Sequence, residues 1–214
     1  MALSEQDMNN DLLMTIEIFL IIDAPLLFFY LKGKWPLRVI IPCLVSLPVF
    51  WYLTYAPVHE LSHIAGTYAA GGSVSYYKLI PQFWLGEFGR AWITSQGMTR
   101  PWQQLLSTSA PYLIDVASLG IGFFILRKPN FRNPFLLGLL FTLLCLRPAF
   151  DFVCESVSFI TGIKGDLFTM GTLLGIIPVW IFILACLSLS LAIIVSILKR
   201  CIKDPEHLPI HSAT

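Results

Sequence analysis

The chain has 214 residues, of which 56% are hydrophobic and only 13% charged, with a formal net charge of +1. Soluble domains carry roughly 25% charged residues, so this composition excludes an ordinary soluble domain and reads as an all-α polytopic membrane protein. The near-neutral charge also gives no electrostatic case for nucleic acid, which needs a basic patch to displace counterions, and no nucleic-acid partner is expected.

In chain order, the N-terminal MALSEQDMNND is acidic and lacks the basic region of a cleaved signal peptide, so the first span is expected to be retained. Apolar runs long enough to cross a bilayer cover 12–30, 37–56, 105–126, 134–152 and 167–198, about five transmembrane helices. Ser107, Ser109 and Asp115 interrupt the third run, and the length of the fifth predicts a tilt or a kink at Pro178. Between the second and third runs, Gly71-Gly72 stops a helix and two β-prone stretches follow, 74–80 and 90–95. They predict a short β-hairpin, which Trp84, Phe88, Trp92 and Trp102 place at the membrane interface. The hairpin reads as an interfacial loop or as a partly immersed edge that an extended peptide can join. Cys43, Cys145, Cys154, Cys186 and Cys201 are scattered without a CxxC pair, which argues against a disulfide framework or a thiolate metal site. One domain over 1–214 is expected, with its core at about 40–175 and a polar tail at 200–214.

Lys32, Lys34 and Arg38, then Arg127, Lys128 and Arg132, then Lys199, Arg200 and Lys203 fall on one membrane side. The other side holds Lys78, Arg90, Arg100, Arg147 and Lys164, so the bias is nine to five. By the positive-inside tendency the richer side is cytoplasmic, in a multi-pass protein of the cell membrane.

Chemistry is concentrated in VHELSHIAG, 58–66, at the end of the second run. On a helix His59 and His63 lie on one face, so both can direct a ring nitrogen at one ion. Glu60 then sits beside the metal without ligating it, as the general base of a zinc hydrolase does. Pro57 suits the first turn of a new helical segment that carries the three. Ionisable groups beside hydrocarbon are costly, which argues against an incidental match, although a purely structural polar cluster is the alternative.

Catalytic zinc usually has three protein ligands. His207 and His211 lie in the polar tail on the opposite side. Span counting places Asp115, Asp151, Glu155 and Asp166 on the same side as the histidines, so the third ligand is expected among these carboxylates. Asp166 opens the last run among glycines. Asp151 follows Arg147 by one turn and can instead be its ion-pair partner. Asp115, inside the third run, can orient a ligand or polarise a bound carbonyl. Glu155 is the outside candidate.

HELSH, then GGSVSYYKLIPQF, then SAPYLIDVASLGIG resembles, in that order, the site-2 protease group of intramembrane zinc metalloproteases. The correspondence is an HExxH at the end of a membrane helix, a glycine-rich turn into a membrane-associated hairpin, and an AGPxxN-type segment opening the next span. It covers roughly 40–175. The family's third ligand is the aspartate of an LDG motif, which this chain lacks. Gly165-Asp166-Leu167 is its nearest equivalent, and the choice between Asp166 and Asp151 stays open. Asp115 stands where the family has asparagine, and the family places its zinc towards the cytoplasm, whereas the charge bias here places it outside.

The resemblance implies an intramembrane metalloprotease holding one Zn²⁺ per chain through His59, His63 and Asp166 (or Asp151). Glu60 would be its general base and Asp115 a supporting group. Its partners would be the lipid bilayer and a membrane protein or peptide substrate. The alternative is a non-hydrolytic metal- or lipid-binding membrane protein, a transport or assembly factor. A membrane hydrolase with a non-peptide substrate is a third reading.

Overall fold

The computed structural model describes residues 15–80, 91–127 and 133–203. The start of the first expected span, Trp84, Phe88, Arg90, Lys128, Arg132, His207 and His211 lie outside them. The fold is all-α with a short β-hairpin, as the composition and glycine pattern predict.

A π turn, Phe19–Asp23, leads into α1, Ala24–Lys32. The helix α2 runs from Leu37 to Ala69, and the strands β1, Ser73–Lys78, and β2, Trp92–Gln96, follow it. Next come α3, Pro101–Leu126, and α4, Pro134–Ile160, the latter containing a π turn at Thr142–Leu146. The chain ends in α5, Asp166–Leu174, and α6, Ile176–Lys203. Among the described residues, α2, α3, α4 and α6 are long and apolar enough to cross a membrane. The segment ending in α1, which carries Glu17 and Asp23, packs beside α6 and α4.

Outward stripes support a lipid-facing surface. Leu37, Ile41 and Val45 on α2 and Ile177, Ile181 and Leu184 on α6 recur at helical spacing and are exposed. Inward, Trp51 stacks on Tyr55, and both rings meet the edge of Phe150 from α4 at 4.7 and 5.1 Å. Such contacts fix rotation and height between α2 and α4 beyond plain apolar burial.

Three expectations are corrected. Pro57 does not start a new segment: Pro42, Pro48 and Pro57 all lie inside one 33-residue helix. Neighbouring helices tolerate such missing donors within a membrane, where leaving the helix would expose still more backbone. The last run breaks at Gly175, not at Pro178. Gly175 has φ +89°, a left-handed conformation that glycine adopts without penalty, and the chain re-enters a helix at Ile176. The fourth helix continues to Ile160, so Asp151 lies within it rather than at its end. The strands pair antiparallel from Ser73↔Gln96 to Lys78↔Trp92, with an irregularity between Val74 and Tyr76.

α2 and α3 form the most extensive helix pair, brought close at Gly66. A Cβ there would sit 2.6 Å from the Ala110 Cβ and 3.0 Å from the Ser107 Cα. Gly66→Val is therefore expected to push the two helices apart and to destabilise the fold by about 1–3 kcal/mol, as overpacking does. A lowered thermal midpoint in detergent checks this; an unchanged midpoint would refute the close approach.

Candidate metal centre

His59 and His63 sit one turn apart on the inner face of α2, about 15 and 9 Å short of its end at 1.5 Å per residue. The Nε2 atoms of the two rings are 3.1 Å apart. Asp166, the first residue of α5, brings Oδ2 to 3.2 Å from Nε2 of His59 and 2.8 Å from Nε2 of His63. These three residues form the one candidate metal-binding group among the described residues. Ligand atoms about 2.0–2.1 Å from a tetrahedral ion lie about 3.3 Å apart, close to the spacing seen here.

Partners on the far side of each ring fix its tautomer. Nδ1 of His63 lies 2.9 Å from the Ser107 carbonyl, which only accepts, so Nδ1 carries the proton. That carbonyl is free for a local reason. In a helix it would accept from the N–H of residue 111, and residue 111 is proline. Nδ1 of His59 lies 2.9 Å from Asp151 Oδ2, whose other oxygen meets the Tyr55 hydroxyl at 3.4 Å. Both Nδ1 atoms thus donate outward, and both Nε2 lone pairs point at one carboxylate oxygen. Three converging electron-rich atoms are a poor arrangement alone and a good one around a cation. The donor set of two imidazoles and a carboxylate fits zinc.

Asp166 holds up its part electrostatically. Burial alone would raise its carboxyl; without a metal, a proton on an imidazole Nε2 is donated to Oδ2 and holds the carboxyl well below the usual carboxylate range, and a metal ion would take the place of that proton.

The other predicted residues fall as follows. Asp151 is outside the ligand group and orients His59. It is not the ion-pair partner of Arg147 either: Arg147 Nη2 lies 2.6 Å from Asp115 Oδ1. Asp115 is fully buried in that pair and does not reach the cavity beside the histidines, where a bound carbonyl would lie. Glu155 lines the cavity outside the candidate metal-binding group and accepts a hydrogen bond from the backbone N–H of Asp166. Tyr112 reaches the Glu155 carboxylate at 3.4 Å. Arg147 leaves the tally of loop charges because it is buried. The bias becomes nine to four, one fewer than the five first counted.

Sequence reasoning missed Tyr55 and the Ser107 carbonyl. The second had a readable signal, a proline four residues after Ser107 in a helical segment opposite the histidines.

A cavity of about 570 Å³ opens onto His59, His63 and Asp166. Glu60, 7% exposed, lines it, as do Trp92, Ile93, Ser95 and Gln96 of β2. The centre is thus shared by a helix, a short helix start and a strand.

No protein-family model, no curated protein and no solved structure matches the chain.

Proposed function

We propose that this chain is an intramembrane zinc metallopeptidase of the cell membrane, acting on membrane-associated peptide segments. The observation that carries the reading is the convergence of His59 Nε2, His63 Nε2 and Asp166 Oδ2 at a cavity that Glu60 also lines.

His59, His63 and Asp166 would hold the zinc. When bound, the ion supplies Lewis acidity towards a water and a peptide carbonyl. Glu60 takes the proton from the attacking water on its carboxylate and returns it to the leaving amine.

A helical peptide bond is shielded, so the substrate segment must unwind. Among the described residues β2 pairs with β1 on one side only, and β2 lines the cavity. Its other edge offers backbone groups to an extended chain, holding the unwound segment beside Glu60 by strand addition.

Purified protein reconstituted in liposomes with an apolar single-span test peptide is expected to cleave it. EDTA should abolish cleavage and added Zn²⁺ should restore it. Cleavage at full rate in the metal-stripped protein would overturn the reading.

A further inference from the structure

Two acids and one base compete in the interior, and the structure resolves the competition in a specific way. Arg147 and Asp151 lie one turn apart on α4, the spacing at which opposite charges meet on a helix face. They do not pair in the observed arrangement. Arg147 reaches across to Asp115 on α3 at 2.6 Å, Asp151 reaches across to Nδ1 of His59 on α2 at 2.9 Å, and the Asp115 and Asp151 carboxyls also share a hydrogen bond with each other. Asp115 and Asp151 are 0% exposed and Arg147 is 3% exposed, so water cannot neutralise any of them.

The placement of Arg147 follows from the chain around it. Pro148 has no N–H, so the carbonyls one π or α turn before it lack a backbone donor. The Nε of Arg147 donates to one of these, Leu143 O, at 3.3 Å, and Nη2 lies 3.4 Å from Ser118 Oγ on α3. The guanidinium is thus turned towards α3, where Asp115 meets it. A buried arginine deprived of that carboxylate has a second one on its own helix, one turn away.

We propose that Asp115 is a positioning residue that occupies Arg147 and so leaves Asp151 free to hold the imidazole of His59. The assignment rests on the metal reading given above. It gives the third helix a role that does not require contact with substrate or metal.

The test is a sign of epistasis. Losing an outer partner of a metal-bound histidine lowers affinity by about 10–100-fold. Asp115→Asn releases Arg147 onto Asp151 and is expected to weaken zinc binding by that amount. Adding Arg147→Met removes the competitor. The double variant should recover to within about threefold of the starting protein, a coupling far outside additivity.

Zinc affinity is read by competition with a chelating dye in detergent, and the ring ¹⁵N signals of His59 are read in metal-free protein. The His59 signal of an Nδ1–H bonded to carboxylate should appear in the starting protein and the double variant and change in Asp115→Asn. A double variant as weak as the single, the result if Asp115 acts on Asp151 through their own hydrogen bond, or a His59 signal identical in all three, overturns the proposal. Should Asp115→Asn not fold, the double variant is expected to fold and bind zinc, and its failure to do so is equally decisive. If the starting protein binds no zinc, the metal reading falls, while the ring signals still decide the role of Asp115.

Discussion

Glu60→Gln is expected to leave zinc content unchanged and to lower peptide cleavage by about 10²–10⁴-fold, the range associated with a positioned general acid–base. Glutamine keeps the shape and much of the polarity of glutamate, so the cavity wall and the ligands beside it should be undisturbed. What it cannot do is accept a proton. Glu60 faces the cavity from the same helix as the two histidines and is outside the ligand group. The loss should therefore fall on kcat, with KM for the test peptide little affected. A variant that cleaves at the original rate would sink the hydrolytic reading. A non-hydrolytic metal- or lipid-binding protein predicts another pattern, in which function survives Glu60→Gln and is lost with His59→Ala or His63→Ala.

Asp166→Ala and Asp151→Ala should separate by their effect on the metal itself. Structural zinc sites with four ligands bind with roughly 10–16 kcal/mol, or about 2.5–4 kcal/mol per ligand if shared evenly. Removing Asp166 is then expected to weaken zinc by about 10²–10³-fold. Removing Asp151 leaves the three candidate ligands in place, takes away the hydrogen bond to Nδ1 of His59 together with the contacts to Tyr55 and Asp115, and should weaken zinc by about 10–100-fold. Metal titration of the two variants, each checked for native helicity, orders them. If Asp151→Ala proved the more damaging, the ligand and the orienting carboxylate would have to exchange roles.

The two histidines and the glutamate are legible in sequence because their relation is local: an i, i+4 spacing on a helix fixes a shared face. The shared membrane side of Asp115, Asp151, Glu155 and Asp166 is legible from the parity of apolar runs alone. Choosing among them is not, because it depends on helix rotation. The π turn at Thr142–Leu146 changes the rotation of everything after it in α4, and no hydrophobic periodicity reports such a turn. Pro57 misleads because proline is read as a boundary, whereas a membrane penalises leaving the helix more than it penalises one missing donor. Gly175 is overlooked for the opposite reason, being one small residue in an apolar run. The ion pair between Asp115 and Arg147 is a tertiary choice made over a nearer partner, and local sequence favours the pair that does not form.

The separation of α5 from α2 along the chain bears on when this protein acquires its chemistry. Asp166 follows His63 by 103 residues and His59 by 107. At synthesis rates of about 5–20 residues per second, the histidine pair exists for roughly 5–20 s before the carboxylate that completes it has been made. During that interval the nascent chain holds Glu60 but only two of the three residues proposed to hold zinc, so on the proposed function it would enter the bilayer without hydrolytic power. On that reading competence would arrive late in biosynthesis, with the helix that carries Asp166.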